Sequence, residues 1–265
     1  MIIIGEKING AIRSVKNAIE LRDEAFICDL AKAQTAAGAH YLDICAGTSP
    51  EQETEVLKWL ITVVQAAVDT PTCIDSPNTG TIERLLADVS RAGIINSISA
   101  ESGKCDEILS LIKGSQWQVI AQTMDKDGIP EKPEARAAVA EVIIEKAANC
   151  GISPDRIHID PLVAAISADD QSVLKFLKAA DAIRTANPSV KLTAAISNIS
   201  FGMPLRKFLN IQFYALAAFA GLDSAVLDPC DNDMRLSILA METLLGRDLL
   251  CRNFTNAYRK NRAGR

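Results

Sequence analysis

Short apolar runs alternate with longer segments of helical periodicity from one end of this chain to the other. A short run that is apolar at every position has no polar face to offer water, so it must be buried on both sides. Helices that bury one stripe are the natural cover for such strands, which leads to repeated strand-helix units around a parallel sheet. Eight strands are expected, over residues 2–4, 40–45, 72–75, 94–98, 117–122, 156–160, 191–197 and 224–228. Between them, residues 53–67 illustrate the helical pattern: Val56, Leu57, Leu60, Ile61, Val64 and Ala67 recur at offsets of three and four and define one inward face.

The units are punctuated. Pro50 after Ser49 and Pro133 open helices, while Gly38, Gly93, Gly151 and Gly221 follow helical segments where a left-handed cap is wanted. No linker or composition break interrupts the alternation, so residues 1–265 read as one domain. Two α/β folds accommodate eight such units. The open doubly wound sheet commonly carries GxGxxG after its first strand, and the stretch from Gly5 to Gly10 does not match it. A length of 265 residues is close to that of one (β/α)8 TIM barrel, and this is the expected fold.

Composition limits the partners. Hydrophobic residues make up 48% and charged residues 23%, enough for a large core, and the formal net charge is −5 with no long Lys or Arg run before the last ten residues. Nucleic acid is therefore not an expected partner. The apolar opening Met1-Ile2-Ile3-Ile4 gives way at once to Gly5, Glu6 and Lys7, too soon for a signal peptide or a membrane span, so a cytoplasmic protein without membrane contact is expected. Seven cysteines lie far apart with no CxxC pair, as for reduced, mostly buried thiols.

In a barrel the carboxyl ends of the strands surround the active site. Here they carry Glu6 and Asn9, Asp43, Asp75 and Asn78, Asn96, Gln122 and Asp125, Asp160, Asn198 and Ser200, and Asp228. Lysine is missing from this set, which removes the nucleophile of a Schiff-base aldolase, and two histidines cannot build a three-histidine metal site, so no bound metal is expected. His40 and His158 fall at the start of or inside strands and read as packed, hydrogen-bonded residues. Carboxylates and amides together suit a flat heterocycle with adjacent N–H and NH2 donors, the edge that a pterin presents. Any single Asp or Asn of the rim could equally cap a helix or close a turn.

Six segments strengthen the pterin reading: Ile4-Gly5-Glu6-Lys7-Ile8-Asn9, Leu42-Asp43-Ile44-Cys45-Ala46-Gly47, Ile74-Asp75-Ser76, Ile95-Asn96-Ser97, Ile159-Asp160-Pro161-Leu162 and Ser197-Asn198-Ile199-Ser200. In this order, each at a strand end, they resemble the pterin-binding methyltransferase family, above all the methyltetrahydrofolate:corrinoid methyltransferases. These include the folate domain of cobalamin-dependent methionine synthase and the enzyme serving the corrinoid iron-sulfur protein. The resemblance implies a homodimeric barrel that moves a methyl group between N5 of methyltetrahydrofolate and the cobalt(I) of a corrinoid (cobalamin). It implies a pterin ring held by Asp75, Asn96 and Asp160, with Asn9 and Asp43 in the same pocket. Asn198 matches the residue that approaches N5, the catalytic position, and Arg206 falls where relatives carry an arginine that meets the folate tail. Phe201-Gly202-Met203-Pro204 replaces the polar stretch seen in some of them.

Ionised Asp75 and Asp160 are expected to favour positive charge at N5. The chain has no DxHxxG cobalamin signature, so the corrinoid is expected on a separate partner protein. Two alternatives remain. A dihydropteroate-synthase-like enzyme would want a lysine just after the seventh strand, where this chain has Asn198-Ile199-Ser200-Phe201. A nonenzymatic folate-binding subunit of a methyl-transfer assembly would hold the pterin without transferring the methyl group.

Overall fold

A computed structural model describes residues 1–101 and 103–263. Its eight parallel strands are β1 (Ile2–Asn9), β2 (Tyr41–Cys45), β3 (Thr72–Asp75), β4 (Ile94–Ser99), β5 (Gln118–Gln122), β6 (Ile157–Asp160), β7 (Lys191–Leu192) and β8 (Ser224–Leu227). They pair in the order β7-β6-β5-β4-β3-β2-β1-β8. A parallel bridge between Ala195 and Val226 joins the two ends, with Val226 N donating to Ala194 O at 2.9 Å and Asp223 N to Leu192 O at 3.0 Å. The sheet thus curls into a nearly closed (β/α)8 barrel.

Helices α1 (Arg13–Leu21), α2 (Glu24–Ala36), α3 (Pro50–Ala67), α4 (Thr79–Leu86), α5 (Lys104–Leu111), α6 (Pro133–Asn149), α7 (Ser172–Ala186), α8 (Arg206–Phe219), α9 (Asn232–Leu244) and α10 (Arg252–Ala263) follow the strands in turn. In α3 the apolar spacing resolves as expected: Val56, Leu57, Leu60, Ile61 and Val64 are buried. The sheet-helix layer forms one large apolar cluster, while Ile4, Cys73, Ile94, Ile120 and Val226 form a second, smaller one. Alternate residues of these strands face the axis, so the smaller cluster fills the barrel's middle. Below it, His158 is fully buried, with Nδ1 2.7 Å from Ser224 Oγ and Nε2 2.9 Å from Gln118 Oε1. Burial pushes its pKa down to about 3, so the ring stays neutral. His40 Nδ1 accepts from the backbone N–H of Ile3 at 3.1 Å. Both histidines hold the fold.

Several expectations need correction. β1 runs on to Asn9, past residue 4, with a register shift between Gly5 and Ile8, so Glu6 and Asn9 belong to the strand itself. β7 is shorter than residues 191–197. Thr193 N still donates to Ile159 O at 2.8 Å and Ala195 bridges to Val226, but from Ile196 to Ser200 the chain winds into a 3-10 turn in which Ser200 Oγ donates to Ser197 O at 3.2 Å. Gly38, Gly151 and Gly221 have positive φ as anticipated, but Gly93 does not. A Cβ at Gly93 would lie 1.9 Å from Thr72 O, so glycine is required there by the close approach of β3. The thiols are also less hidden than expected: Cys73 and Cys105 are buried, Cys28, Cys45 and Cys150 half-buried, and Cys230 and Cys251 exposed. No described helix is long and apolar enough to cross a membrane.

Candidate active site

The carboxyl ends of the strands enclose a cavity of about 250 Å3. Asn9, Asp43, Asp75, Asn96, Asp160 and Asn198 all line it, joined by Glu6 and Gln122. Strand register explains the gathering. Cys45 pairs with Asp75, Asp75 with Asn96, Asn96 with Ile120, and Gln122 with Asp160, so neighbouring strands deliver their polar ends at about one level. Other rim residues do local work instead. Asn78 caps α4 by accepting from Gly80 N and Thr81 N, Asp125 closes a turn with Gly128, and Asp228 pairs with Lys7 at 3.2 Å. A larger groove of about 580 Å3 lies between α1 and the start of α3, but its Arg22 is already paired with Glu55 and it contains no buried carboxyl.

Burial dominates the electrostatics of the smaller cavity. Asp43 is raised to about 8, first by burial and then by the charge of Asp75, against hydrogen bonds from Cys73 and Asn96. The Asn96 Nδ2 donor lies 3.2 Å from Asp43 Oδ1. Asp75 is raised too, chiefly by burial, with the Cys45 thiol and the Lys104 ammonium opposing. Asp160 is raised to about 7 by burial, against the Leu162 N–H and the Arg136 guanidinium. In the free cavity Asp43 and Asp160 therefore titrate near neutrality, which departs from the expectation of an ionised Asp160, while burial shifts Asp75 in the same direction. A ligand that brings N–H donors would draw the ionised forms back.

Two devices set the walls. Leu162, at φ 62, folds its N–H back onto Asp160 Oδ1 at 2.8 Å. Left-handed backbone is costly for leucine, and buried Arg136 of α6 holds the turn by donating to Pro161 O at 3.0 Å and Leu162 O at 2.7 Å. Beside it, after the adjacent β7, Asn198 sits exposed on the 3-10 turn. Arg206 does not line the cavity. Its Nε donates to Ser200 Oγ at 3.0 Å and a terminal nitrogen to Ser197 O at 2.9 Å, so it clamps the turn that carries Asn198.

Sequence reasoning missed Arg136 and Ser197. Nothing in an arginine inside a helical pattern signals that it will reach back to a strand-end loop. Ser197 was visible only as part of a motif, and its role emerges from its hydrogen bond to Glu6 Oε2 at 3.0 Å.

Comparison with known proteins agrees with this geometry. The chain is 46% identical, over all of its own length and 98% of the relative's, to a methylcorrinoid:tetrahydrofolate methyltransferase of Eubacterium limosum. It is 28% identical to a methionine synthase of Mycobacterium tuberculosis, matching 86% of this chain but only 20% of that much longer protein. Among solved structures, a dihydropteroate synthase from Xanthomonas albilineans in complex with 7,8-dihydropteroate superposes with a TM-score of 0.65 at 18% identity, covering 91% of this chain and 92% of that one, a likeness of fold. The model of the pterin binding enzyme family matches residues 7–228. That span runs from the β1 strand end through β8 and takes in every cavity-lining carboxyl and amide except Glu6; the chain belongs to the pterin binding enzyme family.

Proposed function

We propose that this protein moves a methyl group between N5 of a tetrahydrofolate and the cobalt of a corrinoid carried by a separate protein. The observation that carries the proposal is the opening of Asp75, Asn96, Asp160 and Asn198 into one cavity at the barrel mouth. The printed name of the Eubacterium limosum relative, similar over the full chain, supports the same chemistry. In this reading Asp160 and Asn96 take the donor edge of the pterin, Asp75 and Asp43 line the ring, Asn9 closes the side near β1, and Asn198 reaches N5. Arg206 acts on the folate from outside the ring site, by holding the Asn198 turn or by meeting the tail.

The corrinoid supplies the chemistry at cobalt, where the methyl group is bound or released. The protein's part is to orient N5 and to manage its charge and proton, because an amine leaves or attacks readily only when its proton is handled. Mixing the purified chain with tetrahydrofolate and free methylcobalamin should convert the visible spectrum to that of cobalt(I). An unchanged spectrum at saturating pterin, with pterin binding intact, would leave a folate-binding subunit in place of an enzyme.

The same reading treats residues 1–265 as a single pterin-binding domain in the cytoplasm. The main apolar cluster runs from Ile3 to Ile238, and exposed thiols such as Cys230 and Cys251 suit a reducing compartment. It also makes the protein a homodimer. Residues 211–220 read as either a buried helix or an interface, and α8 serves both descriptions: Phe213, Tyr214, Ala217 and Ala218 pack inward while Leu205, Phe208, Leu216 and Phe219 form an exposed apolar stripe. A second copy covering this stripe would bury it, and apolar self-complementary faces are what twofold dimers use. Light scattering should give twice the chain mass, and Phe219→Asp should shift it to monomer; a parent chain that is already monomeric at micromolar concentration would remove the dimer.

A further inference from the structure

We propose that Glu6 takes up and returns the N5 proton during methyl transfer, and that a small polar cavity behind it is the path joining that proton to solvent. The inference rests on the methyl-transfer reading above. Its starting point is a shared wall: Glu6 and Ser197 line both the main cavity and a second one of about 40 Å3, whose other polar walls are Lys207, Asn210, Asp228 and Asp231. A space of this size admits about one water molecule, provided that polar partners hold it. One such partner is waiting. Asn210 Oδ1 is buried and receives no hydrogen bond from the described residues.

Glu6 itself is placed to exchange protons. Ser197 Oγ donates to its Oε2 at 3.0 Å, and no described residue donates to Oε1. It has no ion-pair partner among the described residues, because the adjacent Lys7 turns to Asp228 at 3.2 Å. The charged groups facing it are Lys7 on its own strand, Asp43 from β2, Asp228 after β8 and Arg206 at the start of α8, with Lys207 and Asp231 across the small cavity. Burial is the largest influence and raises its pKa, which brings the carboxyl closer to the range where it both accepts and releases a proton near neutrality. Asn198 cannot do this, since an amide does not titrate there.

Position matters as much as acidity. A corrinoid delivered onto the barrel mouth covers the pterin and excludes water from that side, so an exit through the wall lets the proton leave while the mouth is occupied. In the direction that methylates tetrahydrofolate, the N5 lone pair forms the bond to the methyl carbon and the electron pair of the cobalt–carbon bond stays on cobalt as cobalt(I). N5, now carrying both hydrogen and methyl, gives its proton to the Glu6 carboxylate. From there it passes to water in the small cavity and out beside Lys207 and Asp231. The reverse reaction draws the proton in by the same route.

The test follows single-turnover transfer from methylcobalamin to tetrahydrofolate by the cobalt(I) spectrum, with a pH indicator recording proton release. For Glu6→Gln, pterin affinity should stay within about threefold while transfer slows on the order of 10²-fold and loses the pH dependence contributed by Glu6. For Asn210→Leu, which fills the small cavity without touching the pterin, proton release should lag behind cobalt(I) formation, whereas the parent should release both together. Parent-like rate and pH profile in Glu6→Gln, or synchronous release in Asn210→Leu, would overturn the proposal. A parent chain that makes no cobalt(I) would end the methyl-transfer reading itself, and this inference with it.

Discussion

Asn198→Ala is expected to slow single-turnover methyl transfer by about 10²- to 10³-fold, the range seen when one preorganised hydrogen-bonding group is removed from a developing charge. Pterin affinity should fall by far less, no more than about tenfold. The difference follows from where the residue stands. Asn198 is exposed on a turn at the cavity rim, whereas Asp160 is buried in the cavity wall. In the proposed mechanism its amide meets N5 only as charge develops there, so its contribution would belong to the transition state and appear in the rate rather than in ground-state binding. The turn should survive the change, because Arg206 is bonded to Ser200 Oγ and Ser197 O and does not use the Asn198 side chain. Rate constants measured at saturating pterin, beside an equilibrium titration of the same variant, separate the two effects. A variant that binds weakly but transfers at the parental rate would assign Asn198 to ring binding alone.

Much of this site is legible without coordinates. A parallel barrel turns every strand end toward one mouth, so Asp43, Asp75, Asn96 and Asp160, each at or near the end of a recognisable apolar run, have to converge once eight strands are counted. What does not show is anything decided between elements. The short β7 depends on a contest between sheet pairing and local Ser hydrogen bonds. Gly93 resembles a helix cap in sequence, and only Thr72 O, 1.9 Å from where its Cβ would be, reveals the actual constraint. Protonation is the deepest omission. Isolated Asp is ionised at neutral pH, and burial reverses that preference in the free protein: with the charge of Asp75 it lifts Asp43 to about 8, and it brings Asp160 to about 7, where both forms are populated.

That reversal makes Asp160→Asn the second variant of large effect, and one whose consequences change with pH. Asp160 is 5% exposed with a pKa near 7 and, among the described residues, has only Leu162 N–H as a close donor, leaving acceptor capacity for the donor edge of the ring. At pH 8 the parent carboxylate is ready to accept, and its replacement by an amide should cost about 1.5–3 kcal/mol, roughly 10- to 100-fold in affinity. At pH 6 the parent must first lose a proton, which weakens its own binding by about tenfold per unit below the pKa, while the amide of the variant has no proton to lose. The gap between the two proteins should therefore narrow as pH falls. Folding stability should move the opposite way. Because the folded pKa lies above the ordinary 3.8 of Asp, this carboxyl opposes folding increasingly from about pH 4 up through pH 7, so the variant should melt higher than the parent at pH 8 and match it near pH 4. Calorimetric titrations and melts at both ends of the range test the pair of signs together. Equal pterin affinity at pH 8 would take Asp160 out of the ring site, and an unchanged melting difference across pH would mean that its carboxyl is ionised in the free protein after all.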